Sequence, residues 1–235
     1  MRFQEAAPDA RAVVYAGIQR DPLVARAAEL LAAASAAERL LARAVMNGET
    51  TEPGDWRAMF PGLFEAGTGT GNAEAILEVS LDVAGRGEEA RSQYRGAIVE
   101  AVTALLLARR VPAAAIHRER RIHFDGVRAE IHPYDVTVEL ADRAEAYDCK
   151  WGARGINADV LLQLDAARAN ADQEGARLLV ALVVFDARRS CRVRLARATA
   201  PVAGVRLVAL ESLDALGRAR STPPAAGAIS RTSGS

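Results

Sequence analysis

The stretches HPYDVTVEL (132–140) and AEAYDCKW (144–151) decide the interpretation of this 235-residue sequence. In both stretches apolar and polar residues alternate, which is typical of β-strands that bury one face. The short segment between them suits a hairpin connection, so the pattern predicts two adjacent antiparallel strands. This pairing would bring Asp135 of the first strand close to Asp148 of the second.

The second strand carries different chemistry on its two faces. Asp148 and Lys150 are two residues apart, so they project to the same face of a strand. The bulkier residues project to the opposite face, where they suit a core: Tyr147, Cys149 and Trp151. We therefore expect either the edge of a polar site or an ordinary amphipathic strand.

The elements around these strands indicate an α/β fold with a mixed central sheet. The predicted elements are a helix over 89–110, strands over 120–126, 132–140 and 144–151, a helix over 157–173, and strands over 178–185, 191–197 and 204–210. The first six elements follow the order α-β-β-β-α-β, which is the alternation expected of a layered α/β domain.

Composition divides the chain into three parts. Residues 1–85 are rich in alanine and leucine at helical spacing, and they predict a small helical N-terminal region. Residues 86–220 contain the predicted sheet and its helices. The Pro/Gly/Ser-rich residues 221–235 predict a disordered tail.

The bulk composition favours a soluble, cytoplasmic protein. Half of the residues are apolar and 26% are charged. No charge-free apolar run reaches the length of about 18 residues that a membrane-spanning helix needs. The first residues lack the basic and apolar regions of a signal peptide, and two cysteines are too few for a disulfide scaffold. We therefore expect a reducing compartment and no membrane partner.

Basic residues are unevenly distributed, although the net charge is zero. The segment ARRSCRVRLAR (187–197) holds five arginines and no acid, which indicates either a phosphate-binding surface or a solvated, arginine-rich edge strand. Arg154, in the loop WGARGIN, is a further candidate for a phosphate contact. Lys150 is the single lysine beside 29 arginines, and its compact ammonium differs chemically from a planar guanidinium.

Asp135 and Asp148 suit a site for a hard divalent cation. Mg²⁺ prefers carboxylate oxygens and water, and it takes few ligands from the protein. Hydrolysis of a phosphodiester uses one or two such ions, and Lys150 would then orient the attacking water or stabilise developing negative charge. The backbone carbonyl of Cys149 and the carboxylate of Glu100, on the long preceding helix, are candidates to complete the site.

This ordered set of residues resembles the PD-(D/E)xK nuclease superfamily, whose members are mostly restriction, repair and recombination nucleases. The matching residues are Glu100 in GAIVEAV, Asp135 in PYDV, Asp148, Cys149 and Lys150 in YDCKWG, and Gln163 with Leu164 in LLQLDAA. Tyr134 separates Pro133 from Asp135, so the literal P-D pair is absent. The resemblance covers roughly residues 89–186 and says little about residues 1–85.

The resemblance implies a restriction endonuclease-like core and an Mg²⁺- or Mn²⁺-dependent nuclease acting on nucleic acid, expected to be DNA. The implied catalytic residues are Glu100, Asp135, Asp148, Lys150 and Gln163, and the implied metal ligands are Glu100, Asp135, Asp148 and the Cys149 carbonyl. Many members of such families act as dimers, and the helical N-terminal region could mediate dimerisation or contact a protein partner. Two alternatives stay open: a catalytically inactive nuclease-fold module for nucleic-acid binding or assembly, and an unrelated α/β domain that binds a small molecule.

Overall fold

A computed structural model describes residues 1–7, 10–48, 52–65, 72–125, 132–198 and 204–218. The tail predicted to be disordered, residues 221–235, lies outside the described residues. The described residues form a six-stranded mixed sheet with helices on both faces, which confirms the predicted α/β class.

The described helices are α1 (Ala10–Gln19), α2 (Pro22–Ala33), α3 (Ala36–Asn47), α4 (Pro53–Met59), α5 (Pro61–Phe64), α6 (Ala73–Ala84), α7 (Glu88–Leu107), α8 (Ala158–Gln173) and α9 (Arg188–Ala196). Several of them begin at side-chain caps that satisfy backbone N–H groups of the first turn. Asp21 caps α2, Asn157 caps α8, and Ser35 with Glu38 forms a capping box at α3. The caps therefore set where these helices begin.

The strands are β1 (Arg2–Glu5), β2 (Ile116–His123), β3 (Tyr134–Glu139), β4 (Ala144–Lys150), β5 (Leu178–Val184) and β6 (Arg206–Ala209). Their order across the sheet is also their order along the chain. Antiparallel pairing joins β1 through β4, whereas β5 and β6 are added in parallel. Parallel neighbours need crossover connections, and the connections after β4 and β5 contain α8 and α9.

The sheet buries apolar side chains on both faces. On the face toward α7, Val136, Tyr147 and Phe185 join a cluster that includes residues of α2, α3 and α6. On the opposite face, Ala146 and Leu182 join a second cluster with the apolar side of α8. Burial on both faces explains the continuous apolar sequence LLVALVV of β5.

α7 lies between the sheet and the N-terminal helices. Consecutive residues along it are buried, from Ala97 through Thr103, and a helix with little exposed surface belongs in a core. Glu88 and Glu89 in its first turn favour the helix because they offset the positive end of its dipole. Of the helices of residues 1–85, α1, α2 and α6 thus pack directly against α7. The division at residue 85 and the expected dimer stay predictions.

The strand predicted over 191–197 is wrong, because residues 191–196 form part of the helix α9 and Arg197 is its C-cap. The alternation of Cys191, Val193 and Leu195 with arginines favoured a strand. In the structure Cys191 is fully buried and Leu195 packs near it, whereas Val193 is exposed. Residues four apart share a face of a helix, so the Cys191–Leu195 spacing was the informative one. The apolar residues fit both the two-residue period of a strand and the four-residue spacing of a helix. The strand prediction was wrong because only the helical spacing matches the residues that are buried.

β1 was also missed, because a four-residue strand at the chain start falls inside the stretch assigned to helices. It pairs with β2 and packs Phe3 against the cluster on the α8 side. The strand predicted over 204–210 is present as β6. Among the described residues, no helix is both long and apolar enough to cross a membrane.

Candidate functional site

Three neighbouring strands bring carboxylates into one row across the sheet. In the register of β2 and β3, Glu119 lies opposite Asp135, between paired positions on both sides. In the register of β3 and β4, Asp135 lies opposite Asp148, one step beyond the last paired residues. At that step Oδ2 of Asp135 accepts a hydrogen bond of 2.5 Å from the backbone N–H of Cys149. The expected approach of β3 to β4 is therefore present.

Lys150 is held in place by a carboxylate and by a glycine. Its Nζ lies 2.5 Å from Oδ1 of Asp148, and Asp148 is buried. A Cβ atom at Gly155 would lie about 2.9 Å from Cδ of Lys150, so the missing side chain makes room for the lysine stem. Burial lowers the pKa of Lys150, but the charges of Asp148 and Asp135 outweigh burial and raise it above its ordinary value. The ammonium therefore stays charged at neutral pH.

Glu100 enters the site from α7, on the side of the N-terminal helices. Its side chain is buried, and both of its oxygens accept hydrogen bonds from α1. The Tyr15 hydroxyl donates to Oε1 at 2.5 Å, and Nε2 of Gln19 donates to Oε2 at 2.7 Å. Gly96 permits this approach, because a Cβ there would lie 2.9 Å from the Tyr15 hydroxyl. The N-terminal region thus contributes directly to the surroundings of Glu100.

Glu119 is a site residue that no pattern in the sequence predicted. Its φ of 52° lies in the left-handed region, which costs a non-glycine residue roughly 1–2 kcal/mol. Ile116 packs against the cluster on the α7 side, whereas Ile122 belongs to the cluster on the α8 side. Regular alternation would place residues six apart on one face, so we attribute the change of face to the left-handed residue.

Ligand atoms of Glu100, Glu119 and Asp135 all lie within 4.8 Å of one another. Burial raises the pKa of Glu100 to about 7, against the lowering effect of its bonds from Tyr15 and Gln19. Burial, together with the charges of Asp148 and Glu100, raises the pKa of Asp135 well above its ordinary value. Burial also raises the pKa of Glu119. Burial therefore favours the neutral form of these three carboxyl groups as long as no cation is bound.

This carboxylate cluster fits a hard divalent cation. At Mg²⁺–oxygen distances of about 2.0–2.1 Å, octahedral ligands lie about 3–4 Å apart. The ligand atoms of the three carboxylates lie within 4.8 Å of one another, so small side-chain movements would bring them to octahedral spacing. All three donors are carboxylate oxygens, which suit Mg²⁺ or Mn²⁺ rather than a metal that prefers thiolates.

Two predicted site residues have other contacts in the structure. Gln163 is buried on α8, where its amide binds both backbone groups of His132: Nε2 donates to the carbonyl and Oε1 accepts from the N–H. It thereby holds the chain just before β3 instead of contacting the carboxylates. The backbone of Cys149 reaches the cluster through its N–H, which donates to Asp135. A metal contact from its carbonyl stays a prediction.

The sequence contains one signal for Glu119. In the strand IHRERRIH (116–123) it is the only acidic residue among basic and apolar neighbours. Tyr15 and Gln19 carry no comparable signal, because their contact with Glu100 spans more than 80 residues of sequence.

No protein-family model and no curated protein matches this chain. Among solved structures, protein VC1899 from Vibrio cholerae is similar to it, with 17% sequence identity and a TM-score of 0.39. The similarity covers 92% of this chain and 56% of that one, so the chain spans little more than half the length of VC1899. A likeness of this degree establishes neither a shared fold nor a shared function.

Proposed function

We propose that this protein is a metal-dependent nuclease that hydrolyses phosphodiester bonds, with DNA as the expected substrate. The observation that carries the proposal is the carboxylate cluster of Glu100, Glu119 and Asp135, with the Asp148–Lys150 ion pair beside it. Carboxylates and one positively charged amine are the groups that metal-assisted phosphoryl transfer uses. Mg²⁺ or Mn²⁺ would be the cofactor.

The order of elements supports a restriction endonuclease-like core as part of the proposal. From α7 through β5 the chain follows the order α-β-β-β-α-β, and β5 lies parallel beside β4. The sheet bears Asp135 and Asp148 on neighbouring strands, and α7 bears Glu100. These are the positions that the resemblance to PD-(D/E)xK nucleases implies for the metal-binding residues.

Each residue has a role that follows from its surroundings. A bound Mg²⁺ would neutralise charge on the scissile phosphate and lower the pKa of a coordinated water. Glu100, Glu119 and Asp135 would hold the ion, and the Cys149 N–H orients Asp135 by its hydrogen bond. Asp148, a metal ligand according to the resemblance, would add a further carboxylate beside the ion, and it fixes Lys150 through their ion pair. Lys150 would stabilise the negative charge that develops on the phosphoryl oxygens.

A second candidate is a catalytically inactive nuclease-fold module. One observation favours it: Tyr15 and Gln19 occupy both oxygens of Glu100. A metal at Glu100 would have to use the remaining lone pairs of these oxygens or displace one of the two bonds. On the inactive alternative, α1 permanently closes the cluster and the protein only binds nucleic acid.

A cleavage assay distinguishes the two candidates. Labelled single-stranded DNA, duplex DNA and RNA are incubated with the protein in Mg²⁺, in Mn²⁺ and in EDTA. We expect cleavage in a divalent metal, and a loss of at least about 100-fold in Asp135→Asn, because oriented charge at the reaction centre contributes factors of this size. Asp142→Asn, an exposed aspartate in the β3–β4 connection, is the matched control. Cleavage that persists undiminished in Asp135→Asn, or no cleavage of any substrate, would reject the nuclease.

A further inference from the structure

A wide cleft opens beside the strand that carries Lys150. It has a volume of about 740 Å³ and lies between α3, the start of α7 and the segment after β4. Its lining includes Arg43, Arg91, Arg95, Arg154 and Trp151. Gly155 also lines it, and a Cβ added there would lie 2.9 Å from Cδ of Lys150. One end of the cleft is thus built by the segment that immediately follows the candidate catalytic strand.

A second depression of about 440 Å³ continues the cleft along α9. The two share Ala153, Arg154 and Ser190, so together they form one groove, named the arginine groove below. The lining of the second part includes no acid and four arginines: Arg154, Arg189, Arg194 and Arg197. The whole groove therefore has seven arginines, against Glu88 and Asp186 as its acids.

The two parts of the groove differ in whether their arginines form ion pairs with acidic residues. In the first part Arg43 pairs with Asp186, and both Arg91 and Arg95 pair with Glu88. In the second part Arg194 donates to a backbone carbonyl. Its other three arginines have no acidic partner among the described residues: Arg154, Arg189 and Arg197. Unpaired guanidinium groups on one concave surface favour an anionic ligand.

Trp151 adds an aromatic surface to this positive one. Its ring stacks on Phe185 with centroids 4.9 Å apart, and its Nε1 donates to Oδ1 of Asn47 at 2.9 Å. The indole is therefore fixed by two contacts and only partly covered. Aromatic rings beside a chain of basic residues are the combination that binds single-stranded nucleic acid, because bases stack while phosphates pair with the cations.

We propose that the arginine groove binds the sugar-phosphate backbone of a single-stranded nucleic acid and leads that strand to Lys150. This inference rests on the proposed nuclease function and names its substrate class. Arginine is suited to phosphate because its planar fork binds two oxygens at once. A cleft of about 740 Å³ is of the size that encloses a small ligand. A volume of this size has room for a few nucleotides of one strand.

The test measures binding without cleavage, in EDTA, by the fluorescence anisotropy of a labelled 20-nucleotide strand. The groove variant is Arg154→Gln with Arg189→Gln and Arg197→Gln. The control variant removes the same number of charges from exposed arginines outside the groove: Arg143→Gln, Arg177→Gln and Arg192→Gln. Arg192 is a close match for Arg189, because both are exposed on α9 and only Arg189 lines the groove. Circular dichroism checks that both variants are folded.

We expect the groove variant to bind at least about tenfold more weakly at 50 mM salt, and the control to bind like the wild type. The slope of log affinity against log salt should fall by about 2, since each lost phosphate contact on a single strand contributes about 0.7. Four results would each overturn the proposal. They are absent binding, equal losses of affinity in both variants, tighter binding of the matching duplex, and displacement by poly-glutamate that is as effective as displacement by the unlabelled strand. Because cleavage is not measured, these results are independent of the Asp135→Asn assay.

Discussion

Glu119 lies opposite Asp135 on the neighbouring strand and adopts a left-handed backbone conformation there. An L-amino acid without a special role seldom takes this conformation in a strand. Backbone strain of this kind collects at functional sites, where surrounding structure maintains it. At the pair Glu119–Asp135 the backbone of the cluster thus departs from that of an ordinary sheet.

The variants Glu119→Gly and Glu119→Ala should distinguish the cost of the left-handed backbone conformation from the loss of the carboxylate. Both variants should lose metal-dependent cleavage, because both lack the carboxylate. Glycine tolerates a positive φ and alanine does not, so we expect Glu119→Gly to be more stable than Glu119→Ala by about 1 kcal/mol. Chemical denaturation measures the difference, and Glu5→Gln on the adjacent strand controls for loss of an exposed acid. An alanine variant more stable than the glycine variant would show that the left-handed conformation is not maintained.

Lys150→Arg should remove most of the cleavage activity while it preserves the positive charge. The lysine stem fits against Gly155 and its ammonium reaches Asp148, whereas a planar guanidinium is longer and wider. Gly155→Ala should act in the same direction, because the added Cβ would press on the Lys150 stem. Single-turnover rates measure both effects. If arginine substitutes freely, the lysine supplies only generic charge.

The stability of the metal-free protein should depend on the ionisation of Glu100. Its pKa is raised to about 7 in the folded state, so this group stabilises the fold fully below its ordinary value and loses that contribution as pH rises through 7. The loss is up to about 3 kcal/mol. We expect Glu100→Gln to gain stability relative to wild type between pH 5 and pH 8 in EDTA. Thermal unfolding measures this, and a difference that is constant with pH contradicts it.

Gln163→Ala should lower stability without changing metal affinity. Its amide satisfies both backbone groups of His132, and loss of a buried partner costs about 1–3 kcal/mol. We therefore expect a lower denaturation midpoint and unchanged Mn²⁺ binding by calorimetry. Weaker Mn²⁺ binding at unchanged stability would instead support the direct catalytic role that the resemblance implies.

The sequence predicted the parts of the fold that local periodicity determines. Alternation in β3 and β4 predicted the hairpin, and apolar spacing predicted α7 and α8. It could not choose between helix and strand for the segment from Cys191 to Leu195, because both periods fit its apolar residues. The segment forms a helix because the packing of the folded chain buries Cys191 on one side of that helix.

The candidate site shows the same limit. Asp135, Asp148 and Lys150 follow from strand spacing, because residues two apart share a face and a short hairpin fixes the neighbours. Glu119 enters the cluster through an irregular backbone angle that no periodic pattern contains. Tyr15 reaches Glu100 across the packing of α1 on α7, which only the folded chain determines.

The position of a bound metal shows whether the carboxylate cluster is a cation site. Crystals of the protein grown in Mn²⁺ would be measured for anomalous scattering at a wavelength where manganese contributes strongly. We expect a peak about 2.0–2.6 Å from carboxylate oxygens of Asp135 and Glu119, with an oxygen of Glu100 as a further ligand. A manganese peak at another place, or none at this cluster in saturating Mn²⁺, would contradict this expectation.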